Sequence, residues 1–120
     1  MKLAICGSRH IKLNYSELNV FVSLVPMSDI YEIVSGGCPS GIDAAAKELA
    51  YKFRLNYEEF PANWEEHGKA AGPLRNKQIA EYADALLLIW DGESKGSASM
   101  KREMLALKKP IFEVIFKIWM

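Results

Sequence analysis

The run Ala85-Leu86-Leu87-Leu88-Ile89-Trp90 contains no polar side chain apart from the indole N–H. A strand with one wet face alternates apolar and polar residues, because successive side chains point to opposite sides. An unbroken apolar run predicts instead a strand covered on both faces, the position of a central strand in a parallel sheet. The rest of the chain supplies the cover. Short apolar runs at 3–6, 31–35, 56–60 and 111–116 alternate with helical patterns at 15–25, 42–53, 73–82 and 97–108. The first helix carries Leu18, Phe21, Val22 and Val25 on one face. The second carries Ile42, Ala45, Ala46, Leu49, Ala50 and Phe53, and the last turns Met100, Met104 and Leu107 inward. Strands and helices in alternation predict an α/β protein: a Rossmann-like three-layer fold with a five-stranded parallel sheet in the order 3-2-1-4-5. At 120 residues the chain reads as a single domain, 1–120.

In such a fold the loops after the strands share one edge of the sheet, and ligands bind there where strand order reverses. Four turns rich in Gly, Ser or a cation are assigned to that edge. They are Cys6-Gly7-Ser8-Arg9, Ser35-Gly36-Gly37-Cys38-Pro39-Ser40-Gly41, Ala71-Gly72-Pro73-Leu74-Arg75-Asn76 and Asp91-Gly92-Glu93-Ser94-Lys95-Gly96-Ser97. The reversal falls between the first and fourth strands, so 7–9 and 91–97 would face each other across a crevice. Helix N-termini carry unpaired amides and a positive dipole end, which together attract anions. The turns therefore predict a site for a phosphate-bearing small molecule.

Arg75 is expected to open a helix, where a cation opposes the dipole, so anion binding explains it better than stability does. Asn76 stands beside it. Arg9 follows a strand-ending Gly-Ser and offers a fork to a phosphate. Ser94, Gly96 and Ser97 read as a nest before a helix, with Ser97 also suited to the N-cap. Gly36 and Gly37, after Ser35, either admit a ligand to the backbone or permit a tight turn with positive φ. Asp43 either contacts a ribose hydroxyl or closes a capping box with Ser40. Trp64, in the long connection 61–72, either stacks on a base or pins the loop to the core. Asp91 ends the buried fourth strand, where partial burial would raise its pKa toward general-acid use.

Composition limits the partners. Lys+Arg and Asp+Glu balance at 15 each, so no chain-wide basic field exists and a nucleic-acid partner is disfavoured. No apolar run approaches the ~18 residues of a membrane span, and the N-terminal residues lack the apolar core of a signal peptide. A cytoplasmic protein is expected. Cys6 and Cys38 share no metal-type spacing with His10 and His67, so neither a metal nor a cofactor is expected. The two cysteines are expected to be reduced thiols at the carboxyl edge, and the two histidines to serve surface or packing roles. The apolar tail 114–120 is expected to pack as an edge strand or to bury Trp119 against a second subunit.

In order along the chain, Gly7-Ser8-Arg9, Ser35-Gly36-Gly37, Gly41-Ile42-Asp43-Ala44, Pro61-Ala62-Asn63-Trp64, Gly68-Lys69-Ala70-Ala71-Gly72-Pro73-Leu74-Arg75-Asn76, Ala83-Asp84-Ala85 and Ser94-Lys95-Gly96-Ser97 resemble the SLOG superfamily. That group joins DprA-type proteins to the LOG-type phosphoribohydrolases, and the chain looks closest to its short stand-alone branch. The resemblance covers nearly the whole chain; the string 68–76 is its specific part. It implies a Rossmann-like domain that binds a nucleotide or nucleotide-derived signal, and a homo-oligomer. LOG-type enzymes cleave the N-glycosidic bond of a nucleoside monophosphate with an Arg at one helix start and a Glu opening the next helix. Arg75 matches the Arg. Met100 stands where the Glu would be, and a thioether neither stabilises an oxocarbenium ion by charge nor activates water. The resemblance thus favours a binding module, for sensing or sequestering a nucleotide or nucleotide derivative such as an ADP-ribose-like molecule. The alternative, an N-glycosidase, needs a replacement carboxylate from Asp43, Asp91 or Glu93, since Glu103 lies one helical turn further along.

Overall fold

The chain runs β1 (Lys2–Gly7), α1 (Tyr15–Ser23), β2 (Glu32–Ser35), α2 (Gly41–Lys52), β3 (Asn56–Glu59), α3 (Trp64–His67), a 3-10 turn (Gly68–Ala70), α4 (Ala71–Tyr82), β4 (Ala85–Trp90), α5 (Lys95–Ala106) and β5 (Ile111–Ile115). These elements come from a computed structural model that describes residues 1–26 and 29–116. All strand pairs are parallel, in the order β3-β2-β1-β4-β5. The fold class and strand order expected from the sequence are the ones observed.

Side-chain alternation along the strands divides the core into two layers. Leu3, Ile5, Ile33, Leu87 and Ile89 face one side and pack on Leu18 of α1 and on Ile42, Ala46 and Leu49 of α2. Ala4, Val34, Leu86, Leu88 and Trp90 face the other and pack on Ile79 of α4 and on Met100 and Met104 of α5. Every residue of β4 is buried, which is why its sequence lacks alternation. β5 is the edge strand beside β4, as expected for 114–115; residues 117–120, with Trp119, lie outside the described residues.

Several boundaries differ from the sequence reading. α4 starts at Ala71 rather than Pro73, because the 3-10 turn leads directly into it and both Ala71 and Gly72 are buried. Pro73 is tolerated in the first turn, where its amide would have no helical partner. Arg75 consequently sits in the second turn of α4 instead of opening it. α5 starts at Lys95, with Ser94 as N-cap, so Ser97 is a buried first-turn residue and not the cap. Its other end stops at Ala106, which leaves Leu107 exposed rather than inward. α1 begins after Asn14, whose side chain accepts from the Glu17 amide while Glu17 accepts from the Asn14 amide, a reciprocal cap.

The strands on either side of the order reversal meet at Gly7. It pairs with Ile89. A Cβ at this position would collide with the Ile89 carbonyl oxygen and lie 2.7 Å from Ile42 Cγ1. The next amide, Ser8 N–H, donates to Ile89 O at 3.1 Å. Gly7→Ala is expected to cost about 1–3 kcal/mol, the range for overpacking against a structure that cannot give way. Urea unfolding measures it; an unchanged midpoint would show that the approach of β1 and β4 is not tight.

Candidate functional site

A cleft of about 340 Å³ opens at the carboxyl ends of the central strands. The end of β1 and its loop supply Cys6, Gly7, Ser8, Arg9 and His10. The turn between β2 and α2, with the first turn of α2, supplies Gly36, Cys38 and Asp43. α4 contributes Arg75, Asn76 and Ile79, and the start of α5 contributes Ser94, Gly96, Ser97 and Met100. The volume falls within the ~300–1,000 Å³ typical of small-molecule sites.

Arg75 is the central cation. Its Nη1 donates to Gly36 O at 3.0 Å and its Nε to Asn76 Oδ1 at 3.0 Å. Asn76 is buried and in turn donates through Nδ2 to Gly96 O at 3.2 Å, tying α4 to the start of α5. No carboxylate lies within 4.0 Å of the guanidinium among the described residues. A half-buried guanidinium whose hydrogen-bond partners are all neutral can still meet an incoming anion, with the Asp43 carboxyl in Coulombic range beside it. Gly36 exists to admit it: a Cβ there would collide with Nη1 and lie 2.9 Å from Cζ. Gly36 is thus explained by close approach, and Gly37, at φ 77°, by turn geometry.

The start of α5 offers further donors. Its N-cap, Ser94, makes no side-chain hydrogen bond to the helix amides, and the same is true of Ser40 before α2. Unpaired first-turn amides beside Gly96 and Ser97 therefore border the cleft. Ser94 Oγ instead pairs with Ser8 Oγ at 2.8 Å, joining the two sides of the order reversal.

The two candidate carboxylates diverge. The capping box between Ser40 and Asp43 does not form; Asp43 Oδ2 accepts the Cys38 amide at 3.1 Å and braces the turn. Burial pushes the Asp43 carboxyl above the usual range, a rise opposed by the Cys38 amide and the Arg75 charge. Asp91 moves the other way, contrary to the expected rise. Its Oδ1 accepts from the Glu93 amide, the Ser94 amide and Ser94 Oγ at 2.8, 2.8 and 2.9 Å. Those amides, chiefly, hold its pKa down to about 2. An acid this strong stays ionised at neutral pH, so Asp91 is excluded as a general acid.

Other expectations resolve by position. Ser35 is fully buried away from the cleft, bonded to Tyr57 OH at 2.6 Å and accepting the Gly37 amide at 3.2 Å, so it is a strut. Trp64 is exposed beside α4, with its ring 3.4 Å from where a Gly72 Cβ would sit, so it braces the loop instead of lining the cleft. His10 is exposed at the surface, as expected, with its Nε2 3.4 Å from Asp91 Oδ2. Cys6 and Cys38 are free thiols that border the same cleft. Burial pushes the Cys6 thiol far up, away from the thiolate form. Among the described residues, no three His, Cys, Asp or Glu side chains gather as a metal site, and no helix is long and apolar enough to cross a membrane. Compared with protein-family models, curated proteins and solved structures, the chain shows no match.

Because the folded pKa of Asp91 lies near 2 against an ordinary 3.8, its hydrogen bonds contribute stability fully above pH 3.8. That contribution is lost as the pH falls toward 2. Asp91→Asn is therefore expected to flatten the acid limb of stability between about pH 4 and 2. Urea midpoints across that window test it; parallel curves for both proteins would contradict the assignment.

Proposed function

We propose that the protein binds a nucleotide or nucleotide-derived small molecule in the cleft at the carboxyl edge of the sheet. The observation that carries this reading is Arg75, a half-buried guanidinium fixed by Gly36 and Asn76 with no carboxylate partner within 4.0 Å among the described residues. A phosphate there would meet the guanidinium on one side and the first amides of α5 on the other. Arg9, exposed at the lip, adds a second cation. The SLOG-like string 68–76 supports the same assignment, because Arg75 and Asn76 are its last two residues. Such a module would sense or sequester its ligand, and the homo-oligomer implied by the resemblance belongs to this proposal too.

Met100 supports binding over turnover. It is buried and borders the cleft at the position where hydrolytic relatives would carry a carboxylate. One observation favours a second reading, that of an N-glycosidase: Asp43 is a cleft carboxyl whose proton affinity is raised by burial. On that reading Asp43 takes the proton-donating role, and ionised Asp91 remains a source of the negative charge that Met100 lacks.

A single panel separates the two. Wild type, Arg75→Ala and Arg75→Lys are titrated calorimetrically with AMP, GMP, CMP and UMP, and each mixture is assayed for free base. The expected result is binding without base release, weakened at least tenfold by Arg75→Ala and less by Arg75→Lys, with the fold retained. Equal affinity in wild type and Arg75→Ala would remove Arg75 from the site. Base release abolished by Asp43→Asn would establish the glycosidase.

A further inference from the structure

Gly36 lies between two groups of opposite charge. A Cβ built on its backbone would be 2.9 Å from Arg75 Cζ and 3.1 Å from Asp43 Oδ2. The guanidinium from α4 and the carboxyl from α2 thus flank one narrow gap, and both border the cleft. Among the described residues no ion pair within 4.0 Å joins them. Asp43 Oδ2 accepts the Cys38 amide at 3.1 Å, and Oδ1 has no partner among the same residues. None of their partnerless side-chain oxygens is sealed from solvent, so Oδ1 is open.

The groups that face Asp43 pull on its proton in opposite directions. The Cys38 amide, the Arg75 charge and the start of α2 favour the carboxylate. Burial and the Glu59 carboxyl of β3 favour the acid, and burial prevails. Cys6 of β1 and Tyr57 of β3 are held protonated and face it as neutral groups. Lys47, one turn along α2, has its Nζ 4.0 Å from Glu59 Oε1. Arg9 and His10 are exposed at the lip of the cleft.

A bound anion shifts this balance one way. It engages the charge of Arg75 and brings a negative charge of its own. Each effect raises the proton affinity of a neighbouring carboxyl. A proton on Oδ1 removes the repulsion and offers the anion a donor.

We propose that Asp43 couples anion binding at Arg75 to proton uptake: each anion enters with one proton from solvent, held on Oδ1. This rests on the cleft being the anion site and names the regulation of that site. Affinity rises as pH falls, and by linkage the anion favours the protonated carboxyl as much as the proton favours the anion.

The sign of the pH dependence tests it. A phosphate monoester gains charge as pH rises through its second pKa of about 6. A site made of Arg75 and helix amides alone would therefore bind it more tightly at about pH 8 than at about pH 5. Coupling through Asp43 predicts the reverse. Wild type, Asp43→Asn and His10→Gln are titrated calorimetrically with AMP, GMP, CMP and UMP at both pH values. For the nucleotides that bind, wild type is expected to bind at least fivefold more tightly at the lower pH. Asp43→Asn, whose amide oxygen can still accept from the Cys38 amide, should reverse the slope, and His10→Gln should keep it. In wild type the carbon-13 resonance of the Asp43 carboxyl should titrate at a higher pH with nucleotide bound than without. Binding no tighter at the lower pH, a slope that survives Asp43→Asn or vanishes in His10→Gln, or a carboxyl that titrates alike in both states overturns the coupling while the cleft reading stands. If no probe binds at either pH, both readings fall.

Discussion

Everything at the carboxyl edge depends on how closely β1 and β4 approach at Gly7. The two strands lie side by side but lead their helices to opposite faces of the sheet, so the chain parts there. With a side chain at position 7 the Ile89 carbonyl would have to move, and with it the Ser8 amide that it accepts. The Ser8–Ser94 hydroxyl pair would follow, since it spans the same gap. A crevice bounded by backbone on two strands and by helix starts on either side is what this topology leaves open.

Within that crevice, charge is distributed by hydrogen bonding more than by ion pairing. Arg75 is oriented by a carbonyl and an amide, both neutral, with the Asp43 carboxyl in Coulombic range beyond hydrogen-bond contact. The two aspartates show how burial and amide donors pull in opposite directions. Asp43 accepts one amide and is raised by burial, whereas Asp91 accepts two amides and a hydroxyl at one oxygen and is lowered. One carboxyl is thereby raised inside the cleft and the other lowered at its margin. Asn76 connects these parts, holding Arg75 with one end of its amide and the start of α5 with the other.

The sheet was legible because its constraint is local. The apolar run of β4 and the helical spacing in α2 each encode burial in a short window, and the turn glycines mark where strands end. Arg75, Gly36 and the start of α5, which line the cleft, were legible as candidates for the same reason, each standing near a strand or helix end. What escaped depended on partners distant in sequence. His10 and Asp91 meet only once β1 and β4 are paired. Lys109 is similar: its ammonium donates to the carbonyls of Ala80 and Ala83 at 2.6 and 2.7 Å, closing the C-terminus of α4 from another element. Ser35 read as a ligand contact from its Gly-Gly neighbours, yet Tyr57 on the adjacent strand claims its hydroxyl. The direction of the Asp91 shift was misread because strand-end burial is visible in sequence, while the turn that aims two amides at one oxygen is not.

The central claim is that the cleft around Arg75 is where the ligand sits. The most direct measurement is a titration of the isotopically labelled protein with nucleoside monophosphates, followed by backbone amide resonances. The account predicts shifts that saturate together at Ser8, Arg9, Gly36, Cys38, Gly96 and Ser97, with the α1 and β5 amides unmoved. Saturating shifts confined to other surfaces, or none with any nucleotide, would contradict it.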